Sequence, residues 1–405
     1  MNADALHAAV QAFIADHADF PKNVDHARFD ALAVAIAQLQ VATIPGQRRL
    51  FARHGVDVAR ITAAAEIPAV PTDVFKQTRV AAFPEALTVA TFRTSGTTIG
   101  ARGSHPFRTL ATYEAGALAA GRQALLTSSS PVPVVVLGPS PLEVSDSSLG
   151  HMNALFAKHF GEVASDADTF FLRNDALQLD ALTARIAALP PDGELLLLGT
   201  SFSYVHLLDG LAAAAFADRE RSQHQRSGPA VSRDAVASKF AGVRERTGPS
   251  RGGRMPLPRR ARVMQTGGFK GKSREVDGDE LRRLLAETFA IDPRAIVHEY
   301  GMTELSSQCW EWTAVDPDAE TGILHPPPWQ RVIAVDPETL APVAPGGVRE
   351  GIARIVDLAN VESAVVLQTQ DRVIVREDGS FQLLGRLPGA PPRGCSIAID
   401  EMLGG

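Results

Sequence analysis

The hydrophobic pattern along the chain changes period twice. Ala5, Leu6, Val10, Phe13 and Ile14 recur at helical spacing, as do Phe29, Leu32, Ala33, Ile36 and Leu39, which predicts a mainly helical region over residues 1–90. The proline-punctuated stretch Ile67–Lys76 (IPAVPTDVFK) interrupts it, because each proline lacks a donor and biases its predecessor to extended backbone. From about residue 90 the texture becomes strand–turn–helix. Pro133–Leu137 and Glu194–Leu198 are unbroken apolar runs that end in glycine followed by small or hydroxyl residues. Arg262–Gln265 before Thr266-Gly267-Gly268, and Ala295–His298 before Glu299-Tyr300-Gly301, repeat that layout. Runs without alternation suit strands buried on both faces, so residues 91–330 read as an α/β core with a parallel sheet. Between the last two runs, Glu280–Phe289 is amphipathic, with Asp277 or Asp279 as its N-cap. After Trp329 the pattern alternates: Gly351–Asp357, Ala364–Leu367 and Arg372–Arg376, separated by turn signals, predict a β-rich subdomain over 331–405.

Composition adds limits. The 405 residues suffice for two to three domains, and 45% hydrophobic with 21% charged residues is ordinary for a globular chain. A net charge of −6 leaves no global basic field for nucleic acid or lipid. Residues 219–262 depart from this, with eleven Arg and one Lys against three acidic residues, and read as a flexible surface insertion rather than a nucleic-acid arm. Cys309 and Cys395 are the two cysteines, too few for a disulfide framework, so a reducing compartment is expected. The N-terminus has no basic n-region, and no run approaches the eighteen or so apolar residues of a membrane span. A cytoplasmic protein with no membrane partner is expected.

The chemistry concentrates in four places. Phe92–Gly103 (FRTSGTTIGARG) sets small hydroxyl residues among glycines, so that backbone N–H groups and the hydroxyls of Thr94, Ser95, Thr97 and Thr98 can approach phosphate oxygens. His298–Glu304 (HEYGMTE) offers a tyrosine ring to stack on a purine and a carboxylate four residues on to hold Mg2+. Gln370-Asp371 offers an acceptor for ribose hydroxyls, and Gly385-Arg386 a cation for the nucleotide. Each alone has a plain structural alternative, a turn or a solvated charge; the sequence presents all four in one order.

Three other patterns fail on spacing. Gly268–Ser273 imitates a P-loop, but Thr266 stands where its first glycine belongs. Gly199–Ser203 ends in serine where a nucleophile elbow requires glycine. His151 and His159 lie eight residues apart with no third metal ligand in view.

On these motifs the chain resembles the adenylate-forming acyl/aryl ligase superfamily. Thr94–Gly100 is similar to its phosphate loop (Thr94, Ser95, Gly96, Thr97, Thr98, Gly100), and Tyr300–Glu304 to its adenine and magnesium motif (Tyr300, Gly301, Thr303, Glu304). Asp371 and Gly385-Arg386 match its ribose-binding aspartate and following Gly-Arg, and the resemblance sets Gly267 and Gly268 against the adenine. Within the superfamily the chain resembles the acyl-protein synthetases of bacterial luminescence fatty-acid reductase complexes. IPAVPTDVFK, Leu195–Asp209, Thr266–Val276 and Arg393–Ser396 (RGCS) carry that likeness, over roughly residues 60 to 400. Two departures stand out. Ile99 displaces a loop glycine, leaving Arg102 as the nearest cation, and the sequence stops about twenty residues after Arg386.

The resemblance implies stacked α/β subdomains with a β-rich subdomain, without the mobile C-terminal domain of full ligases. It implies MgATP-dependent conversion of a carboxylic acid, expected to be a fatty acid, to acyl-adenylate. Transfer to an enzyme thiol would follow, with Cys395 matching the acceptor in place and context, then transfer to an acyl-reductase partner. Catalytic roles fall to Cys395, Glu304 and Arg386; Phe202, Tyr204 and His206, just past the strand ending at Gly199, are the expected acyl-pocket lining. Competing readings are the same chemistry with coenzyme A or a carrier-protein thiol as acceptor, a P-loop nucleotidase, and a non-catalytic nucleotide-binding subunit.

Overall fold

The computed structural model describes all residues except 21–23, 95–101, 227–252, 268–275, 345, 347, 388–392 and 404–405. Three helices open the chain, Ala3–Asp16, His26–Thr43 and Pro45–Arg53. The first two are capped by Asn2 and Asp25, whose side chains accept from backbone N–H groups of the first turn, and the third starts on proline, which needs no donor there. Leu6, Val10, Phe13, Ile14, Phe29, Leu32, Ala33 and Ile36 are buried, so the helical spacing in the sequence is the core-facing stripe.

The central sheet runs in the order Cys309–Trp310, Ile296–Tyr300, Arg260–Thr266, Glu194–Thr200, Val134–Leu137. The last four strands are mutually parallel and the Cys309–Trp310 edge is antiparallel. Helices Ser148–Phe160, Ser201–Arg226 and Gly278–Phe289 connect them, the last capped by Asp277 through its bonds from Asp279 N and Glu280 N. Val134–Leu137 and Leu195–Leu198 are buried on both faces, as unbroken apolar runs require.

A second sheet, six-stranded, orders Ile323–Leu324, Phe381–Arg386, Val366–Val375, Arg349–Asp357 and Gln330–Val335, with Val70–Pro71 pairing alongside Val366–Val375. Two sequence expectations change here. Ala364–Leu367 and Arg372–Arg376 are not separate strands: Val366–Val375 is continuous, so Gln370 and Asp371 sit mid-strand instead of in a turn. The polar break in the pattern reflects a ladder irregularity, not a chain reversal, since register shifts between Arg372 and Val373 opposite Phe381–Arg386. Nor do the boundaries at 90 and 330 separate the packing. Val70 pairs parallel with Leu367, and the C-terminal helix Arg393–Leu403 packs on the N-terminal helix Pro45–Arg53.

The ends of the basic insertion also belong to the fold. Helix Ser201–Arg226 extends into it, and Met255 and Leu257 are buried, their N–H groups donating to Thr288 and Phe289 carbonyls. Among the described residues no single helix is long and apolar enough to cross a membrane.

Candidate functional site

In a parallel sheet all strand C-termini open on one edge, where loops gather. Tyr300 ends its strand there. Its hydroxyl donates to Asp371 Oδ2 at 2.8 Å, and its ring meets Phe381 edge-on at 5.7 Å. Burial pushes the Tyr300 phenol well up, and the Asp371 charge adds to it, so the hydroxyl keeps its proton. This bond joins the two sheets at the motif that ends one and the strand that centres the other. Asp371 lies directly across the ladder from Arg386, which is exposed. Gly385, its neighbour, has φ +91°, a backbone conformation that side-chain-bearing residues resist. Tyr300, Asp371 and Arg386, far apart in sequence, thus share one locality.

The segment after Tyr300 is braced from below. Thr303 is half-buried and Glu304 buried. His105 donates from Nδ1 to the Thr303 carbonyl at 2.8 Å, while its Nε2 accepts from the Ser363 hydroxyl at 2.9 Å. Burial pushes the His105 pKa down to about 4, so the ring is neutral near pH 7. The Asn360 amide donates to the Glu304 carbonyl at 3.0 Å. Asp357, also buried, accepts from Ser306 N, Ser307 N, Ser307 Oγ and Ala359 N. Burial raises the Asp357 pKa although these bonds oppose it. Among the described residues no group of three or more His, Cys, Asp or Glu could hold a metal ion.

Ser95, Gly96, Thr97, Thr98 and Gly100 lie outside the described residues, as does Gly268. The neck of their loop is described. Strands Ala90–Arg93 and Ser104–Phe107 pair antiparallel, and Thr94 closes the neck, its N–H donating to Gly103 O at 3.0 Å and its Oγ1 accepting from Gly103 N at 2.9 Å. Arg102, the nearest cation along the chain, is engaged at the neck. It donates to Thr94 O at 2.7 Å and to Asp146 Oδ2 at 2.8 Å, bracing the neck. Gly267 follows its strand with φ +69°, its carbonyl taking the Ser201 hydroxyl at 2.6 Å.

The expected acyl-lining residues separate. Tyr204 is fully buried, donating to Leu197 O at 3.1 Å and Met264 O at 2.9 Å, and so belongs to the core beneath the sheet. Phe202 is half-buried against His206, ring centroids 4.4 Å apart, and His206 is exposed. Cys309 is buried and donates to Gln330 Oε1 at 2.8 Å; burial raises its thiol, making it unreactive. Cys395 lies in the first turn of helix Arg393–Leu403, its side chain outside what is described. His151 bonds Glu114 at 3.0 Å, a surface pair rather than a ligand set.

Sequence reasoning did not find His105, Asp357 or Asn360. No local pattern marks them, because each acts on a segment tens to hundreds of residues away. A hint for Asp357 was legible: a carboxylate ending an apolar strand, Gly351–Asp357, needs donors from somewhere.

A family model described as "Acyl-protein synthetase, LuxE" matches residues 251–404, which include Tyr300, Glu304, Asp371, Arg386 and Cys395 but not Thr94. A long-chain-fatty-acid–luciferin-component ligase of Vibrio harveyi is 28% identical over 147 residues, 34% of this chain and 36% of the relative. Its counterpart from Aliivibrio fischeri is 26% identical over 154 residues, 36% of this chain and 38% of the relative. The similar stretch therefore spans little more than a third of either relative. Among solved structures, a 2-hydroxyisobutyryl-CoA ligase in the postadenylation state with 2-HIB-AMP superimposes with a TM-score of 0.59 and 12% identity. The match covers 90% of this chain and 70% of that one. The same ligase with R3-HIB-AMP gives 0.53 at 13% identity, over 88% and 68% of the two chains. These likenesses establish the fold as that of adenylate-forming ligases.

Proposed function

We propose that the chain, whose residues 251–404 match the acyl-protein synthetase family model, is an ATP-dependent acid–thiol ligase that forms acyl-adenylate and passes the acyl group to Cys395. The single observation carrying this reading is the Tyr300–Asp371 bond at 2.8 Å beside Arg386, at the C-terminal edge of the parallel sheet. The Tyr300 ring is the adenine platform, Asp371 the ribose acceptor, and Arg386 the cation beside them. Thr94 and the loop it closes receive the phosphates. Mg2+, held by Glu304, neutralises phosphate charge when bound. A substrate carboxylate oxygen attacks the α-phosphorus, the bond to the β-phosphate oxygen breaks, and pyrophosphate leaves. The Cys395 thiolate then attacks the acyl carbon and AMP departs, leaving a thioester. That thioester suits a reductase partner making aldehyde, and the names of the Vibrio and Aliivibrio relatives favour a long-chain fatty acid.

The decisive experiment is carboxylate-dependent exchange of labelled pyrophosphate into ATP, over a panel of fatty and aryl acids. Exchange with a long-chain acid is expected. A folded protein that supports none with Mg2+ present would end the proposal.

A further inference from the structure

The C-terminal helix Arg393–Leu403 docks on the N-terminal helix Pro45–Arg53. Ala398, Ile399 and Met402 are buried in one apolar cluster with Ile44, Leu50, Val74, Phe75 and Tyr300. The grip is tightest at the far end. Arg49 donates to the Met402 carbonyl from Nε at 3.1 Å and again from Nη2. Gly46 lies under the same residue: a Cβ there would stand 3.1 Å from Met402 Cε and 3.2 Å from Met402 O. His54 Nε2 is 3.5 Å from Glu401 Oε2. The last carbonyls of a helix have no partner within it, so Arg49 supplies what the helix end lacks.

Pro45–Arg53 is tied in turn to the nucleotide side. Gln47, buried, donates to the Ser363 carbonyl at 2.6 Å; the Ser363 hydroxyl bonds His105 at 2.9 Å; His105 bonds the Thr303 carbonyl at 2.8 Å. Hydrogen bonds therefore run from Met402 through one helix turn to the residue before Glu304.

We propose that helix Pro45–Arg53 is the seat that holds the Cys395 helix in register with the adenylate site, and that Arg49 is a positioning residue for acyl transfer. This rests on the reading of Cys395 as the acyl acceptor. Cys395 stands seven residues before Met402, about 10 Å along a helix axis. A tilt of about 6° at the gripped end then moves it by about 1 Å, and misplacement of that size can cost about 10²-fold in a reaction step. The Arg49 bonds go to the Met402 carbonyl and not to Tyr300, Thr303 or Glu304, so their loss is expected to spare adenylation.

The test separates the two half-reactions. Wild-type protein, Arg49→Ala, Arg49→Lys and Gly46→Ala are compared for palmitate-dependent pyrophosphate exchange, for hydroxylamine-labile acyl-protein, and for capture of the adenylate by added small thiol. Expected for Arg49→Ala is exchange and external capture within about twofold of wild type, with acyl-protein formation slowed at least about tenfold. Arg49→Lys, which keeps one donor for the Met402 carbonyl, recovers part of that loss. Gly46→Ala, placed in a helix where alanine is favoured, disturbs the same seat if Arg49→Ala does not fold. Unchanged acyl-protein formation in the folded variants overturns the proposal. Equal loss of exchange and acylation also overturns it, because the contact would then be general scaffolding. Absence of exchange in the wild type, or undiminished labelling of Cys395→Ser, instead sinks the reading beneath it.

Discussion

The two halves of the proposed reaction are mounted very differently. Tyr300, Thr303 and Glu304 follow a central strand and are held by bonds from three other segments, through Asp371, His105 and Asn360. Cys395 rides on an eleven-residue helix at the end of the sequence, fixed by an apolar face and by Arg49 at its last turn. A nucleotide site must present charge and donors in fixed places before its ligand arrives, so it belongs on the sheet. A thiol proposed to collect the acyl group from that site needs only to be held in register with it, which an apolar face and the Arg49 contact supply.

The sharpest way to break that contrast is Cys395→Ser. It should abolish hydroxylamine-labile acyl-protein while pyrophosphate exchange continues, and acid-dependent label surviving in the variant would move the acceptor elsewhere. Next is Glu304→Gln, which should lower exchange on the order of a hundredfold at fixed Mg2+ by removing the carboxylate proposed to hold the metal. Near-normal exchange would strip Glu304 of its role. Asp357→Ala leaves four donors without their acceptor and should lower unfolding free energy by about 3 kcal/mol in a denaturant titration. A loss under about 0.5 kcal/mol would mean that the brace beneath Glu304 is dispensable.

A subtler effect comes from Glu299, beside Tyr300. Burial raises its pKa to about 7, with the Thr266 hydroxyl bond opposing. The folded state thus binds its proton more tightly than the unfolded chain, so this group's contribution is full below the ordinary carboxylate range and is lost as pH rises through about 7. Glu299→Gln should flatten that segment of the stability–pH curve, a component of at most about 3 kcal/mol. An unchanged slope in thermal melts between pH 5 and 8 would refute it. Smallest is Tyr204→Phe, expected to cost about 1 kcal/mol of stability and to leave acid selectivity alone. Altered chain-length preference would return Tyr204 to the acyl pocket.

Much of this architecture was legible in the residues themselves. Unbroken runs such as Val134–Leu137 and Leu195–Leu198 suited strands buried on both faces, and the helical stripe Leu6, Val10, Phe13, Ile14 had one face to hide. Local chemistry was equally visible: glycines and hydroxyls around Thr94, a tyrosine four residues before a carboxylate at Tyr300–Glu304. These signals are short-range, set by periodicities of two and 3.6 and by which side chains can neighbour a ligand.

Tertiary structure decided what those signals meant together. Polar Gln370 and Asp371 look like a turn until the neighbouring strand pairs Asp371 with Arg386 and Leu387 N donates to the Gln370 carbonyl. Arg102 looks like a free cation until Thr94 and Asp146 claim it, and Tyr204 like a pocket wall until two strand carbonyls take its hydroxyl. The seat of Cys395's helix on Pro45–Arg53 joins residues some 350 apart, Arg49 and Met402. Hydrogen bonds and burial across such separations leave no local trace, because either partner satisfies ordinary sequence rules alone and only the packed chain brings them together.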